Sequence, residues 1–382
     1  MVYINNESDT MSQAILYGIP ISLYTGRARS YLIKAGIEYK EVSPIEEHYI
    51  REVVPAAGGR AGMPTLETES GEVIRDGAAI IDHYETHSGN QFSPTTPKQQ
   101  ILSRLFDLIG AEGLLRPAMH YRWNFPEENL ALLRFHFQSA IPRGPGREEK
   151  ADKATDRMRA AGLGFGAVPE TFSLVEELYG EWLTVLNAHF AVYPYLLGSK
   201  PSIGDFGMIA PLYGHLGRDP KPLSLMQANG IQLYRWVERM NRPELDIGEF
   251  EDQSGEYLAN DEIPDTLIAL LKQIAIDFVP ETIAAAACIN DWIEGQESLS
   301  PGTEVARGVG MASFDLRGTT INALAQPYRF YLLQRVQDIF ESLASQEQQE
   351  VKSLLDTCGM SDLLTTKLSR RIGRDNNLEV WQ

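Results

Sequence analysis

From residue 21 to residue 86 the hydrophobic pattern switches repeatedly between two periods, and few folds accommodate that order. Residues 21–24 read as a strand. Residues 26–35 read as a helix, with Ala28, Tyr31 and Leu32 at helical spacing and Gly36 as its stop. Residues 39–42 form a second strand, and 44–54 a helical stretch after Ser43-Pro44. Two short strands at 64–67 and 72–74 flank a turn at Glu69-Ser70-Gly71, and a helix at 77–86 closes the unit with Ile80, Ile81 and Tyr84 as its apolar stripe. The order β-α-β-α-β-β-α predicts a four-stranded mixed sheet with helices on both faces.

After a linker at 90–97 (NQFSPTTP) the chain reads as helical. A long 3.6-residue stripe runs through 98–123. Further helices are expected at 126–140, within the Gly/Pro-flanked segment 141–169, at 172–190, from Ser202 onward, and at 233–240. An acidic stretch at 246–262 marks a boundary. The rest is expected to be mostly helical, with a Gly-rich interruption at 302–318. The domains are therefore set at 14–90, 97–245 and 263–382.

The 34 Lys+Arg stand against 52 Asp+Glu, a formal net charge of −18. A field of that sign repels phosphate backbones and anionic lipid surfaces, so neither nucleic acid nor membrane is an expected partner. Cys288 and Cys358 form no CxxC, and no Cys/His cluster has zinc spacing, so no metal is expected. The first residues, MVYINNESDTMSQ, carry neither the basic start nor the apolar core of a secretory leader. The expected location is cytoplasmic.

Three strings could carry chemistry. In Gly62-Met63-Pro64-Thr65-Leu66 a proline opening a strand suits a cis turn, which would free the Met63 backbone for a peptide-like ligand; a plain loop proline is the alternative. In Arg75-Asp76-Gly77-Ala78 the N–H groups of a helix start can hold a carboxylate while Asp76 holds an amine, together fitting an amino-acid zwitterion. Asp76 as an N-cap is the alternative. Ser202 and Asp205 have capping-box spacing, a structural signal. His83 and His87 lie four apart without an HExxH motif, and Gly162–Gly166 follows no strand; neither is read as a site.

These strings, in this order, resemble the glutathione S-transferase superfamily over residues 15–243. LYTGRARSYLIKAGIEYKEV looks like its first strand, helix and second strand, GMPTL like its cis-proline strand start, RDGAAIIDHYE like its γ-glutamyl motif and YLLGSKPSIGDF like its helix-capping box. The resemblance implies an α+β thioredoxin-like N-terminal domain, an all-α transferase-type C-terminal domain and an additional helical extension. It also implies that Met63 pairs its backbone with the cysteinyl part of glutathione, that Pro64 is cis, and that Asp76 and Gly77 hold the γ-glutamyl end. Gly77 stands where the family usually has serine.

The thiol must ionise to act as a nucleophile, and a hydroxyl donor beside a helix N-terminus favours that. With the strand at 21–24, the loop before the first helix is short. Thr25 is the first candidate for the hydroxyl and Tyr24 the second, with Arg27 adding positive charge. His120 and Tyr121 are candidates for an acceptor pocket facing Thr25. The implied activity is conjugation of glutathione, as cosubstrate, to an electrophilic apolar or aromatic compound by a homodimer. A non-catalytic ligand-binding or assembly role on the same fold is the rival.

Overall fold

The computed structural model describes residues 13–382, so the reading of the residues before Gln13 lies outside the described residues. Strand β1 (Ala14–Tyr17) leads through a five-residue corner, Gly18 to Ser22, into helix α1 (Leu23–Lys34). Strand β2 (Tyr39–Val42) follows, then a π-helical turn (Tyr49–Val53) running into α2 (Val54–Ala56), strands β3 (Thr65–Glu67) and β4 (Val73–Arg75), and helix α3 (Gly77–Ser88). The sheet order is β2-β1-β3-β4, with β1 parallel to β2 and the other pairs antiparallel.

The two-residue period of the strands divides the sheet's faces. Ala14, Leu16, Leu66 and Ile74 join Ala28, Tyr31 and Leu32 of α1 and Ile80 and Ile81 of α3 in one core. Ile15, Tyr17, Val42 and Val73 turn the other way, onto Tyr49 and Val53. The expected strand at 21–24 is thus corrected to Ala14–Tyr17. Ile21 lies in the corner, and Leu23 to Thr25 form the first turn of α1.

The helical part comprises α4 (Pro97–Leu108), α5 (Leu115–Trp123), α6 (Pro126–Ser139), α7 (Arg147–Ala161), α8 (Phe172–Phe190), α9 (Ile203–Gly214), α10 (Pro220–Asn229) and α11 (Ile231–Met240). The single helix expected over 98–123 is broken by a π-helical turn at Ile109–Gly113. The break sits where α9 comes into backbone contact, since a Cβ on Gly110 would collide with the carbonyl carbon of Gly207.

Helix α9 is apolar and buried nearly all round, and its start is fixed by Asp205. That carboxylate is fully buried. It accepts from Ser202 N (2.8 Å), Ser202 Oγ (2.9 Å), Leu196 N (3.1 Å) and Trp236 Nε1 (3.1 Å). Asp205→Ala would leave buried donors from three residues without an acceptor. We expect about 2 kcal/mol lower stability in a denaturant titration, with ligand affinity of the folded fraction unchanged.

The segment after residue 263 is mostly helical, as expected, but it is not helical throughout. Helices α12 (Asp265–Glu294), α13 (Tyr328–Ser342) and α14 (Ser345–Cys358) are joined by two hairpins, β5 (Met311–Leu316) with β6 (Thr319–Leu324), and β7 (Ile372–Asp375) with β8 (Leu378–Trp381). Nor is it a separate body. Leu267, Leu271, Phe278, Leu333 and Trp381 belong to the same continuous core as α1, α4 and α9, with α12 packed on α8 and α13 on α4.

Candidate functional site

Antiparallel pairing brings three segments to one end of the sheet. Tyr17 lies opposite Thr65, and Thr65 opposite Arg75. The corner after β1, the residues before β3 and the start of α3 after β4 therefore converge there. The Met63–Pro64 peptide is cis. Its neighbours are pinned: Gly62 N donates to Tyr49 Oη (3.2 Å), Gly62 O accepts from Tyr49 Oη and Thr65 Oγ1 (3.0 Å each), and Pro64 O accepts from Asp76 N (3.0 Å). Between them, neither N–H nor C=O of Met63 has a bonding partner among the described residues. A fixed, unpaired backbone edge of this kind accepts an extended peptide as an added strand.

Asp76 occupies the N-cap position of α3, yet its side chain makes no capping bond, so the plain N-cap alternative fails. Its backbone stands at φ 85°, ψ 139°, a region unfavourable for any residue with a Cβ, and such strain collects at ligand sites. Asp76 Oδ2 instead accepts from the Tyr328 hydroxyl (2.8 Å) and lies 4.0 Å from Arg374 Nη1. Both partners come from the C-terminal segment, and no local signal around residues 75–78 foretold them.

A side chain at 77 would be closely hemmed in. A Cβ there would stand 3.3 Å from Arg27 Cδ and 3.4 Å from the Tyr24 carbonyl oxygen. Arg27 is buried and ion-paired with Asp107, so it offers no free charge to a ligand; its Nε is left without a partner.

At the β1–α1 corner the hydroxyl at the helix N-terminus belongs to Ser22. Its Oγ accepts from Thr25 N (3.2 Å) and caps α1. Thr25 is fully buried, packed beneath Gly18, with its hydroxyl unpartnered. This corrects the placing of Thr25 at a strand–helix junction facing ligand. The corner is also longer than expected, and Pro20-x-Ser22 ahead of a helical stripe was the signal that marked Ser22. Tyr24 lies in the first turn. Burial, and then the charges of Glu112 and Asp76, hold its hydroxyl well above the usual tyrosine range.

Glu112 sits in the π-helical turn between α4 and α5, 3% exposed, with Oε2 unpartnered. Burial pushes its carboxyl up to about 7. Breaks of this type recur at functional sites.

His120 and Tyr121 do not face Thr25. The face of α5 that meets the first domain carries Leu115, which packs with Leu23, and Arg122, which donates to Ile21 O (2.9 Å). His120 turns away from both. Its ring packs on Phe172 and Phe125, its Nε2 lies 2.9 Å from Glu176 Oε1, and burial holds it below the usual histidine range. Tyr121 stacks on Phe125 and packs against Tyr179 of α8. Both are core residues of the helical part.

A four-stranded mixed sheet with a cis-proline edge, followed by a helical bundle, defines a thioredoxin-like domain joined to an all-helical one. Residues 16–92 match the family model described as glutathione S-transferase, N-terminal domain. No curated protein matches it in sequence. Among solved structures it is similar to β-etherase LigF from Sphingobium sp. strain SYK-6, at 17% identity over 60% of this chain and 95% of that one, with a TM-score of 0.38. It is also similar to a glutathione S-transferase from Rhodospirillum rubrum F11, at 16% identity over 67% and 99%, TM-score 0.37. A third is glutathione transferase GSTFuA3 from Phanerochaete chrysosporium, at 14% identity over 61% and 98%, TM-score 0.41. No helix among the described residues is long and apolar enough to cross a membrane.

Proposed function

We propose that this chain binds glutathione at the converging end of its sheet and conjugates the thiolate to an electrophilic apolar or aromatic compound. The observation that carries the reading is the unpaired Met63 backbone beside cis Pro64, at the same sheet end as the N-termini of α1 and α3. Met63 pairs with the cysteinyl unit, and Asp76 and Gly77 hold the γ-glutamyl end. The sulfur then lies toward α1, where the Ser22 hydroxyl and the first N–H groups of the helix favour the thiolate. Ser22 takes the activating part because Thr25 is sealed inside. Tyr24 is second, since the nearby Glu112 and Asp76 oppose a further negative charge. The reading includes a cytoplasmic homodimer, checked by light scattering and cell fractionation.

Ser22→Gly tests the assignment, because glycine keeps most of the cap's stability. The pH at which bound glutathione ionises, read from thiolate absorbance, should rise by about one unit, or ~1.4 kcal/mol. Thr25→Val should leave it unmoved. A shift in the threonine variant alone would return the role to Thr25.

One observation favours a non-catalytic binder. Leu23 packs against Leu115 and Ala210, with Phe165 and Tyr24 beside them, in the space between the domains that an apolar cosubstrate would need. Retention on immobilised glutathione with turnover of an aryl chloride supports the enzyme. Retention without turnover supports the binder.

A further inference from the structure

We infer that the C-terminal segment completes the ligand site: Tyr328 and Arg374 join Asp76 and Gly77 in a subsite for a zwitterionic α-amino-acid head. This rests on the glutathione reading and adds residues to it from outside the transferase-like part. Ion pairs link Asp76, Arg374, Glu379 and Arg75 here, and Arg27, itself paired with Asp107, and Glu112 also face Asp76. Glu379 pairs with Arg75 (2.7 Å) and with Arg374 (2.7 Å), so two carboxylates balance two guanidinium groups. A balanced cluster suits a head that carries both charges better than a plain anion.

The cluster is held from several sides. Asn377, at the β7–β8 turn, accepts from Arg75 N (3.0 Å) and donates to Val73 O (2.9 Å), docking the hairpin on β4. Arg374 Nη2 donates to Arg75 O. It is nonetheless not sealed. The Asp76 and Arg374 side chains keep 16% and 19% exposure, and Tyr328 is only partly buried.

The roles follow from which atoms are already used. Tyr328 donates to Asp76 Oδ2 and leaves Oδ1 unbonded, so the tyrosine is a positioning residue that aims Oδ1 at the ligand's ammonium group. Arg374 reaches the start of α3, where the Gly77 N–H and the guanidinium together take the ligand's α-carboxylate. A second observation points to a ligand at this place. Arg27, 1% exposed, runs along Gly77 with its Nε unpartnered, a buried donor that a ligand oxygen at the α3 start would satisfy. The serine hydroxyl missing at Gly77 is thus replaced by donors from elsewhere in the chain.

The test is calorimetric titration of the full-length protein with glutathione and two analogues: γ-aminobutyryl-cysteinyl-glycine, which lacks the α-carboxylate, and glutaryl-cysteinyl-glycine, which lacks the amine. Arg374→Met should weaken glutathione binding about tenfold, Arg374→Lys should recover part of it, and neither should alter binding of the analogue without the carboxylate. Tyr328→Phe should weaken glutathione about threefold to fivefold and leave the analogue without the amine unaffected. Equal losses for all three ligands would reduce both residues to scaffolding and overturn the inference. Variants that bind glutathione as well as, or better than, the parent would overturn it too, since the segment would then merely cover the site. In those cases the parent still binds glutathione, and that reading stands. A parent that binds none of the three ligands removes the glutathione reading, and the subsite falls with it.

Discussion

Arg122→Ala is expected to lower the unfolding free energy by about 3–5 kcal/mol. Arg122 is buried in α5 and holds Asp219 in a two-pronged pair, Nε to Oδ2 at 2.6 Å and Nη2 to Oδ1 at 2.9 Å. The same guanidinium donates to Ile21 O (2.9 Å) and to Gly214 O (2.9 Å). Asp219 is fully buried, so truncating the arginine strands a charge with no route to water. The cost is that of the orphaned carboxylate rather than the worth of the pair. Arg122→Met with Asp219→Leu should therefore recover much of the loss, as replaced buried pairs do. A denaturant titration of the two single variants and the double decides it: a double variant no better than the singles would mean that the backbone bonds matter more than the ion pair. The effect has a functional arm. Ile21 precedes Ser22, so loosening its carbonyl loosens the capped start of α1, and glutathione affinity should fall in Arg122→Ala more than in Asp219→Asn.

Local signals served well wherever one element's pattern decided its own fate. Strand β2 falls at residues 39–42 as read, α8 at 172–190 as read, and the strand starts near Pro64 and Glu72 shift by a single residue. The first strand did not, because two short apolar runs compete, 14–17 and 21–24. What selects the earlier one is non-local: Leu16 must stand opposite Leu66, and Leu66 opposite Ile74, to close the face against α1 and α3. The misplaced strand removed Ser22 from view and made the loop look short.

The hairpins of the C-terminal segment were legible in principle. Arg317-Gly318 and Asn376-Asn377 both take positive φ, as two-residue hairpin turns require, and Met311–Leu316 alternates buried and exposed residue by residue. A Gly-rich stretch read only as an interruption hid the first of them. The Tyr328 hydrogen bond to Asp76 and the approach of Arg374 to it had no sequence signal, since the partners lie far apart in the chain, 252 residues for Tyr328.

Glu112→Gln carries the other large effect, and it is a dependence on pH. The carboxyl is pushed from an ordinary 4.5 up to about 7 in the folded protein, chiefly by burial. Below pH 4.5 it is protonated in both states and costs nothing. Between 4.5 and 7 the unfolded chain gives up its proton first, so stability falls as pH rises; above 7 the penalty is constant, about 3 kcal/mol for a shift of this size. The groups that face it are Arg329, whose Nη2 donates to the Glu112 carbonyl (3.0 Å), and Glu281, Asp76, Arg27 and Tyr24. Arg329 lowers the shift, but it is shared with Glu281 (3.1 Å), which keeps its charge through Arg116 (3.0 Å). The amide variant keeps the shape and cannot ionise. It should match the parent at pH 4 and exceed it by about 3 kcal/mol at pH 8, measured by denaturant titration across that range. If the two stability curves instead run parallel, Glu112 titrates alike in the folded and unfolded chain, Arg329 fully offsets its burial, and the π-helical turn stores no protonation energy beside Tyr24.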